Sequence, residues 1–366
     1  MSVDFLTLAT EGVRGLTPYE PGKPIDELRR ELGLGEVVKL ASNESPLGPS
    51  PRALDAAREA LADIARYPDG NGYYLKQVLA ERVGVSPAQL TLGNGSNDVL
   101  EFVVRAFAGP GHEVIYSQHS FAVYPLATRA AGASGVQVPA RDYGHDLDAM
   151  LRAVTPRTRV VFVANPNNPT GTWVDGNALA TFIAALPPDV IVVVDEAYRE
   201  YAHEEGYPDC VRWLPERANL VVTRTFSKAY GLAGLRVGYA IAHPQVADLL
   251  NRVRQPFNVN SVALAAAQAA LGDEAHLQRS REINREGMCY LTGQFRRLGL
   301  AYIPSIGNFV SVELPGEAAP VYQALLREGV IVRPVAGYGM PRHLRVSVGL
   351  AHENLRFVQA LERVLA

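Results

Sequence analysis

Short apolar runs alternating with longer helical patterns through the middle of this 366-residue chain predict an α/β domain on a mostly parallel sheet, joined to a smaller α+β domain. Three observations carry that reading. The runs at 113–116, 135–138, 160–164, 190–194, 219–223 and 238–242 mark strands, and several are near-continuous in Val, Ile and Leu. Such runs fit strands buried on both faces of a parallel sheet. Between them lie helical patterns at 97–108, 146–154 and 176–186, the spacing of strand–helix–strand units. The last third then changes character. It starts with an alanine-rich helix at 262–271 and a charged helix at 275–298, then closes with short strands at 309–313, 330–333 and 343–347.

Proline-rich stretches at 18–24 and 43–51 mark loops ahead of the main domain. The expected organisation is an arm over 1–40 that contributes in part to the small domain, a large domain over 41–260, and a small C-terminal domain over 261–366. No internal repeat or low-complexity segment interrupts it.

Bulk properties exclude several function classes. The chain is 48% hydrophobic and 20% charged, with a net charge of -3, which gives no electrostatic handle for nucleic acid or an anionic membrane. No apolar run approaches the roughly 18 residues of a membrane span. The opening Met-Ser-Val-Asp-Phe-Leu-Thr lacks the basic start and apolar stretch of a signal peptide. Cys210 and Cys289 form neither a disulfide framework nor a metal spacing, and the eight histidines show no ligand-like pairing. The expectation is a cytoplasmic protein with reduced thiols and no metal.

In an open parallel sheet the ligand sits beyond the carboxyl ends of the strands, so polar residues that follow apolar runs are the candidates. The most informative is Thr225-Phe-Ser-Lys-Ala-Tyr-Gly-Leu-Ala-Gly-Leu-Arg236. It sets Lys228 among two hydroxyl residues, Thr225 and Ser227, with a glycine-rich turn and Arg236 beyond. An amine can condense with an aldehyde there, while the hydroxyls and guanidinium hold a phosphate. Pyridoxal phosphate is both an aldehyde and a phosphate ester.

The run at 190–194 leads into Asp195, with Tyr198 three residues on. A carboxylate in that place either pairs with a pyridinium nitrogen or caps the next helix, and Tyr198 can donate to a phenolic oxygen. The run at 160–164 leads into Asn165-Pro-Asn-Asn-Pro-Thr-Gly171, a tight loop whose first Asn can reach the same oxygen. Gly93-Asn-Gly95-Ser96-Asn97-Asp98 precedes a helix and bares backbone N–H groups for a phosphate, with the spacing of neither the dinucleotide fingerprint nor the P-loop. Phe121 or Tyr124 is placed to stack on a flat ring or to fill the core.

The order of these parts, each at a strand end, resembles the fold-type I pyridoxal-phosphate aminotransferases, and among them the histidinol-phosphate aminotransferase family of the class II subfamily. The likeness extends over nearly the whole chain. It includes Pro18-Tyr-Glu-Pro-Gly-Lys-Pro-Ile25, Leu40-Ala-Ser-Asn-Glu-Ser-Pro-Leu-Gly48, Arg66-Tyr-Pro-Asp69, Arg254-Gln-Pro-Phe-Asn-Val-Asn260 and Leu344-Arg-Val-Ser-Val-Gly349. One departure is Asn97-Asp98, where the family often has Asp-Glu in the phosphate loop.

The resemblance implies roles. Lys228 is similar to the lysine that carries the cofactor and shuttles the proton. Asp195 would partner the pyridine nitrogen, with Asn165 and Tyr198 on the phenolic oxygen and Phe121 against the ring. Ser96 and Asn97 (through backbone), Thr225, Ser227 and Arg236 would hold the phosphate. Tyr67 would reach the phosphate of a neighbouring subunit, which implies a homodimer. Arg345 resembles the clamp for the α-carboxylate of the amino-acid donor, while Tyr19, Asn43 and Arg333 lie toward the substrate's distal end, Arg333 suited to a second phosphate. The implied reaction joins L-histidinol phosphate and 2-oxoglutarate. Its rivals are an aromatic-amino-acid aminotransferase, a threonine-phosphate decarboxylase and a non-catalytic ligand sensor.

Overall fold

The structure, a computed structural model, describes residues 3–18 and 21–366. Its strands in chain order are β1 (Val38–Lys39), β2 (Leu90–Gly93), β3 (Glu113–Ser117), β4 (Ser134–Val138), β5 (Thr158–Ala164), β6 (Ile191–Asp195), β7 (Leu220–Thr225), β8 (Gly238–Ala242), β9 (Tyr302–Ile303), β10 (Phe309–Glu313), β11 (Val330–Ile331), β12 (Arg333–Pro334) and β13 (His343–Ser347).

A seven-stranded sheet in the order β2-β8-β7-β6-β5-β3-β4 forms the centre. From β7 to β4 the neighbours run parallel, while β8 is antiparallel to both β7 and β2. β6 and β7 are buried along their full length, as their Val-rich sequences require, and apolar layers cover both faces of the sheet. The α/β, mostly parallel architecture is the one the sequence predicts. Sequence periodicity missed β2 in this sheet, and the two-residue strands β1 and β9 outside it. Leu-Thr-Leu-Gly is short, and its antiparallel mate β8 lies far along the chain.

The C-terminal third builds a four-stranded antiparallel sheet, β12-β13-β10-β9, packed with the helices Glu274–Arg297 and Ala351–Leu365 around its own core. β1 pairs with β11, so the segment before the large sheet joins this part of the molecule. The run expected as one strand at 330–333 is divided: Val330–Ile331 pairs with β1, whereas Arg333–Pro334 pairs with β13. Among the described residues, no helix is long and apolar enough to cross a membrane.

Parallel register positions the site. Ala164 is paired with Asp195, and Asp195 with Thr223, so three strand ends lie side by side on one edge. The antiparallel strand brings its own first residue to that edge, where Gly238 pairs with both Thr225 and Gly93.

Candidate active site

A cavity of about 310 Å³ opens along that edge and reaches the C-terminal sheet. Its polar lining falls into three groups. At one end are Ser96, Asn97, Thr225, Ser227 and Arg236; in the middle are Lys228, Asp195 and Tyr198; at the other end are Asn43, Arg333 and Arg345. Twelve of the predicted site residues thus share one cavity, with Phe121 on its wall.

The first group is a phosphate-sized cradle. The helix Ser96–Phe107 begins here, with Gly95 (φ +85°) at its N-cap and unsatisfied N–H groups in its first turn. Side chains cannot be added without filling the space. A Cβ on Gly95 would lie 2.4 Å from the Arg236 guanidinium, and one on Gly238 would lie 2.4 Å from the Ser96 backbone nitrogen. Arg236 itself has φ +59°, a costly conformation for a residue with a side chain, and its guanidinium donates to Ala233 O (3.1 Å) and Ser227 Oγ (3.5 Å). The Ser227 N–H donates to Thr225 Oγ1 at 3.1 Å. Hydroxyls, helix N–H groups and a guanidinium around a space closed to Cβ atoms fit the phosphate of the expected cofactor.

In the middle, Lys228 Nζ donates to Ser42 O at 3.0 Å and lies 5.8 Å from the Tyr198 ring centroid. Burial, followed by the Arg345 charge, brings its ammonium down to about 7, against a partly opposing pull from Glu44. Burial raises the proton affinity of Asp195, while hydroxyls of Tyr124 and Thr223 oppose the rise. Tyr198 is pushed up to about 12 by burial, so its hydroxyl stays protonated near neutrality and able to donate. A neutral amine, a buried carboxylate and a phenol beside a phosphate cradle match what an aldehyde-bearing pyridine needs. The residues fit the group.

At the third end, β12 and β13 place Arg333 directly opposite Arg345. Two guanidiniums at paired positions concentrate positive charge at this end of the cavity, which favours an anionic ligand. Arg345 donates to Asn168 Oδ1 and to Ala41 O, both at 2.5 Å. Asn43, at φ +55°, donates its amide to the Tyr198 hydroxyl at 3.0 Å and its backbone N–H to Ser347 Oγ. It therefore couples the substrate end to the phenol, beyond the substrate contact predicted for it.

Two predicted residues lie elsewhere. Asn165 does not line the cavity. Its amide donates to Val174 O and accepts from Val174 N–H, both at 3.0 Å, which pins the loop and turns the side chain toward Val174. Asn168 takes the cavity position instead. Tyr67 is 83% exposed and stacks on Phe257, itself 45% exposed, away from the cavity of its own chain. Tyr19 lies outside the described residues. Residues the sequence reading missed are Asn168, Thr223 and the main-chain acceptor at Ser42. Tyr124 was read as a stacking or core residue, and its hydroxyl instead donates to Asp195.

A family model described as aminotransferase class I and II matches residues 35–362. Among curated proteins, "Histidinol-phosphate aminotransferase 2" of Pseudomonas aeruginosa is 62% identical, over 99% of this chain and 99% of that one. "Histidinol-phosphate aminotransferase 1" of Nitrosococcus oceani is 59% identical, over 99% of this chain and 98% of that one. Among solved structures, histidinol-phosphate aminotransferase from Sinorhizobium meliloti, in complex with pyridoxal-5'-phosphate, superposes with a TM-score of 0.90. It is 31% identical and covers 98% of this chain and 97% of its own.

Proposed function

The chain belongs to the aminotransferase class I and II family, and from that premise we propose that it is a pyridoxal-phosphate enzyme moving an amino group from L-histidinol phosphate to 2-oxoglutarate. The products are imidazole acetol phosphate and L-glutamate, and the pathway is histidine biosynthesis. The observation that carries this is the cross-strand Arg333–Arg345 pair in a cavity whose far end is already a phosphate cradle. One substrate brings a phosphate and the other two carboxylates, and the paired guanidiniums suit either.

Lys228 would carry the cofactor covalently, with the cradle of Ser96, Asn97, Thr225, Ser227 and Arg236 on its phosphate. Asp195 would face the ring nitrogen, Tyr198 and Asn168 the phenolic oxygen, and Phe121 the ring. When bound, the cofactor supplies an electron sink for the pair left on the substrate carbon. Lys228 Nζ, held near neutrality, would take the proton from the substrate Cα and give it up on the same face to the carbon that had been the cofactor's aldehyde, so that the nitrogen stays behind. Arg345 fixes the α-carboxylate of the amino-acid substrate, and its hydrogen bond from Nη1 to Asn168 ties that grip to the ring-oxygen end. Tyr198, braced by Asn43, donates its phenolic proton without losing it. Amino transfer in two halves predicts ping-pong kinetics.

The active unit would be a homodimer located in the cytoplasm. The exposed Tyr67–Phe257 stack supports the dimer, since Tyr67 stands outside the site cavity of its own chain and faces outward, where it would reach a neighbouring subunit's phosphate.

The test is a half-reaction in the absence of keto acid. The purified holoenzyme is mixed separately with L-histidinol phosphate, L-phenylalanine and O-phosphothreonine, and its visible absorption is followed. Rapid loss of the cofactor band with histidinol phosphate alone is the expected result. Preference for phenylalanine, or release of carbon dioxide from phosphothreonine, overturns the substrate assignment.

A further inference from the structure

Asp195 is held by two side chains that no part of the reaction above employs. The Tyr124 hydroxyl donates to Asp195 Oδ2 at 2.8 Å, and the Thr223 hydroxyl donates to Asp195 Oδ1 at 3.0 Å. Each carboxylate oxygen therefore has its own neutral donor, and the Ala197 N–H adds a third. Two lone-pair sites on each oxygen leave room for a further donor from the cavity.

These hydroxyls are fixed. Tyr124 is fully buried, lies flat on Phe162 with centroids 4.4 Å apart and 1° between planes, and meets Phe121 edge-on at 6.0 Å. Thr223 is the register partner of Asp195 on β7, so the sheet itself sets its distance. The chemistry of the donors matters as much as their place. An arginine here would strip the carboxylate of basicity, and an apolar wall would leave it taking up a proton, since burial disfavours the anion. Two neutral hydroxyls stabilise the anion without adding charge, and burial keeps the Tyr124 hydroxyl far from ionising.

We propose that Tyr124 and Thr223 are positioning residues that keep Asp195 an oriented anion, so that the proton of the Asp195–pyridine pair stays on the ring nitrogen. This rests on the cofactor reading above. Without the Tyr124 donor, the carboxylate becomes the stronger base. The proton then moves from the ring nitrogen to a carboxylate oxygen, both partners become neutral, and the ring withdraws electrons less strongly. Tyr124 also links Asp195 to Phe121, so the group that sets ring charge and the wall expected to carry the ring face share one anchor.

The experiment loads holoenzyme with pyridoxal phosphate carrying nitrogen-15 in the ring and records its shift in wild type, Tyr124→Phe, Thr223→Val and Thr223→Ser. In the wild type the shift is expected in the protonated pyridinium range. Tyr124→Phe moves it toward neutral pyridine, Thr223→Val moves it the same way, and Thr223→Ser restores it. Losing a hydrogen bond to a charged group should lower kcat about tenfold to a hundredfold, with KM for 2-oxoglutarate within about twofold. Unchanged nitrogen shifts in both Tyr124→Phe and Thr223→Val overturn the proposal, whatever happens to thermal stability. A wild type that binds no cofactor, or holds it with a neutral ring nitrogen, overturns instead the reading on which the proposal rests.

Discussion

Lys228 offers the most quantitative test of the site. An ordinary lysine titrates at 10.5, whereas burial and the Arg345 charge bring Lys228 to about 7. At pH 7 the ordinary group is about 0.03% neutral and Lys228 about half neutral, on the order of a thousandfold gain in reactive amine. Trace labelling of the apoprotein with acetic anhydride, read by mass spectrometry at Lys228 across pH, measures that fraction with no cofactor present. The midpoint should fall near 7. Arg345→Gln removes the second-largest cause of the depression, so its midpoint should rise, with tenfold less neutral amine at pH 7 for each unit it climbs. A wild-type midpoint in the ordinary lysine range, or an unmoved midpoint in Arg345→Gln, refutes the electrostatic account.

The same depression fixes a stability slope. The unfolded chain holds the Lys228 proton up to about 10.5, and the folded chain releases it from about 7. Between those values the unfolded state binds more protons, so the contribution of this group makes the fold more stable as pH rises. Lys228→Met should therefore stabilise the apoprotein by a few kcal/mol, on the order of 5 at most, at and below pH 7. The advantage should vanish toward pH 10.5, as urea titrations at several pH values would reveal. Equal stabilisation at both ends would trace the effect to packing instead of charge.

Other substitutions test the remaining parts. Lys228→Ala should keep weak cofactor binding and lose transamination, and retained turnover in that variant removes the lysine from its role. Mixing Lys228→Ala with Tyr67→Ala subunits, each impaired alone, should restore activity, because the hybrid contains one site with both residues intact; no recovery after subunit exchange argues against a crossing Tyr67. Gly238→Ala, whose Cβ would press on the Ser96 backbone nitrogen at 2.4 Å, should weaken pyridoxal phosphate affinity about tenfold or more, measured by fluorescence titration. Arg333→Gln should raise KM for histidinol phosphate about tenfold to a hundredfold and leave reaction with phenylalanine nearly unchanged, as lost charge-assisted phosphate contacts require.

How far a sequence exposes such a site depends on which physical rule fixes each residue. Asp195, Thr225 and Lys228 were legible because a parallel sheet delivers the residues after its buried Val-rich runs to one edge, and the observed register does so. Asn165 and Asn168 share one Asn-Pro loop, and spacing cannot rank them. The choice is made by Val174, whose backbone N–H and C=O both need a partner and take the Asn165 amide, leaving Asn168 for the cavity. Tyr124 was legible as an aromatic near a strand end, yet its use depends on where its buried hydroxyl finds an acceptor, which only the packed structure supplies. The two arginines carry the lesson furthest. Read along the chain, Arg333 is indistinguishable from a surface ion-pair residue, and nothing marks it as a neighbour of Arg345. Their opposition appears only when β12 leaves the path of β11 and pairs with β13. A sheet optimised for stability alone has no reason to face one guanidinium with another. The position is understandable if the enzyme's ligands are themselves anionic, so the least legible pairing in the chain is also the one that speaks most directly to its substrate.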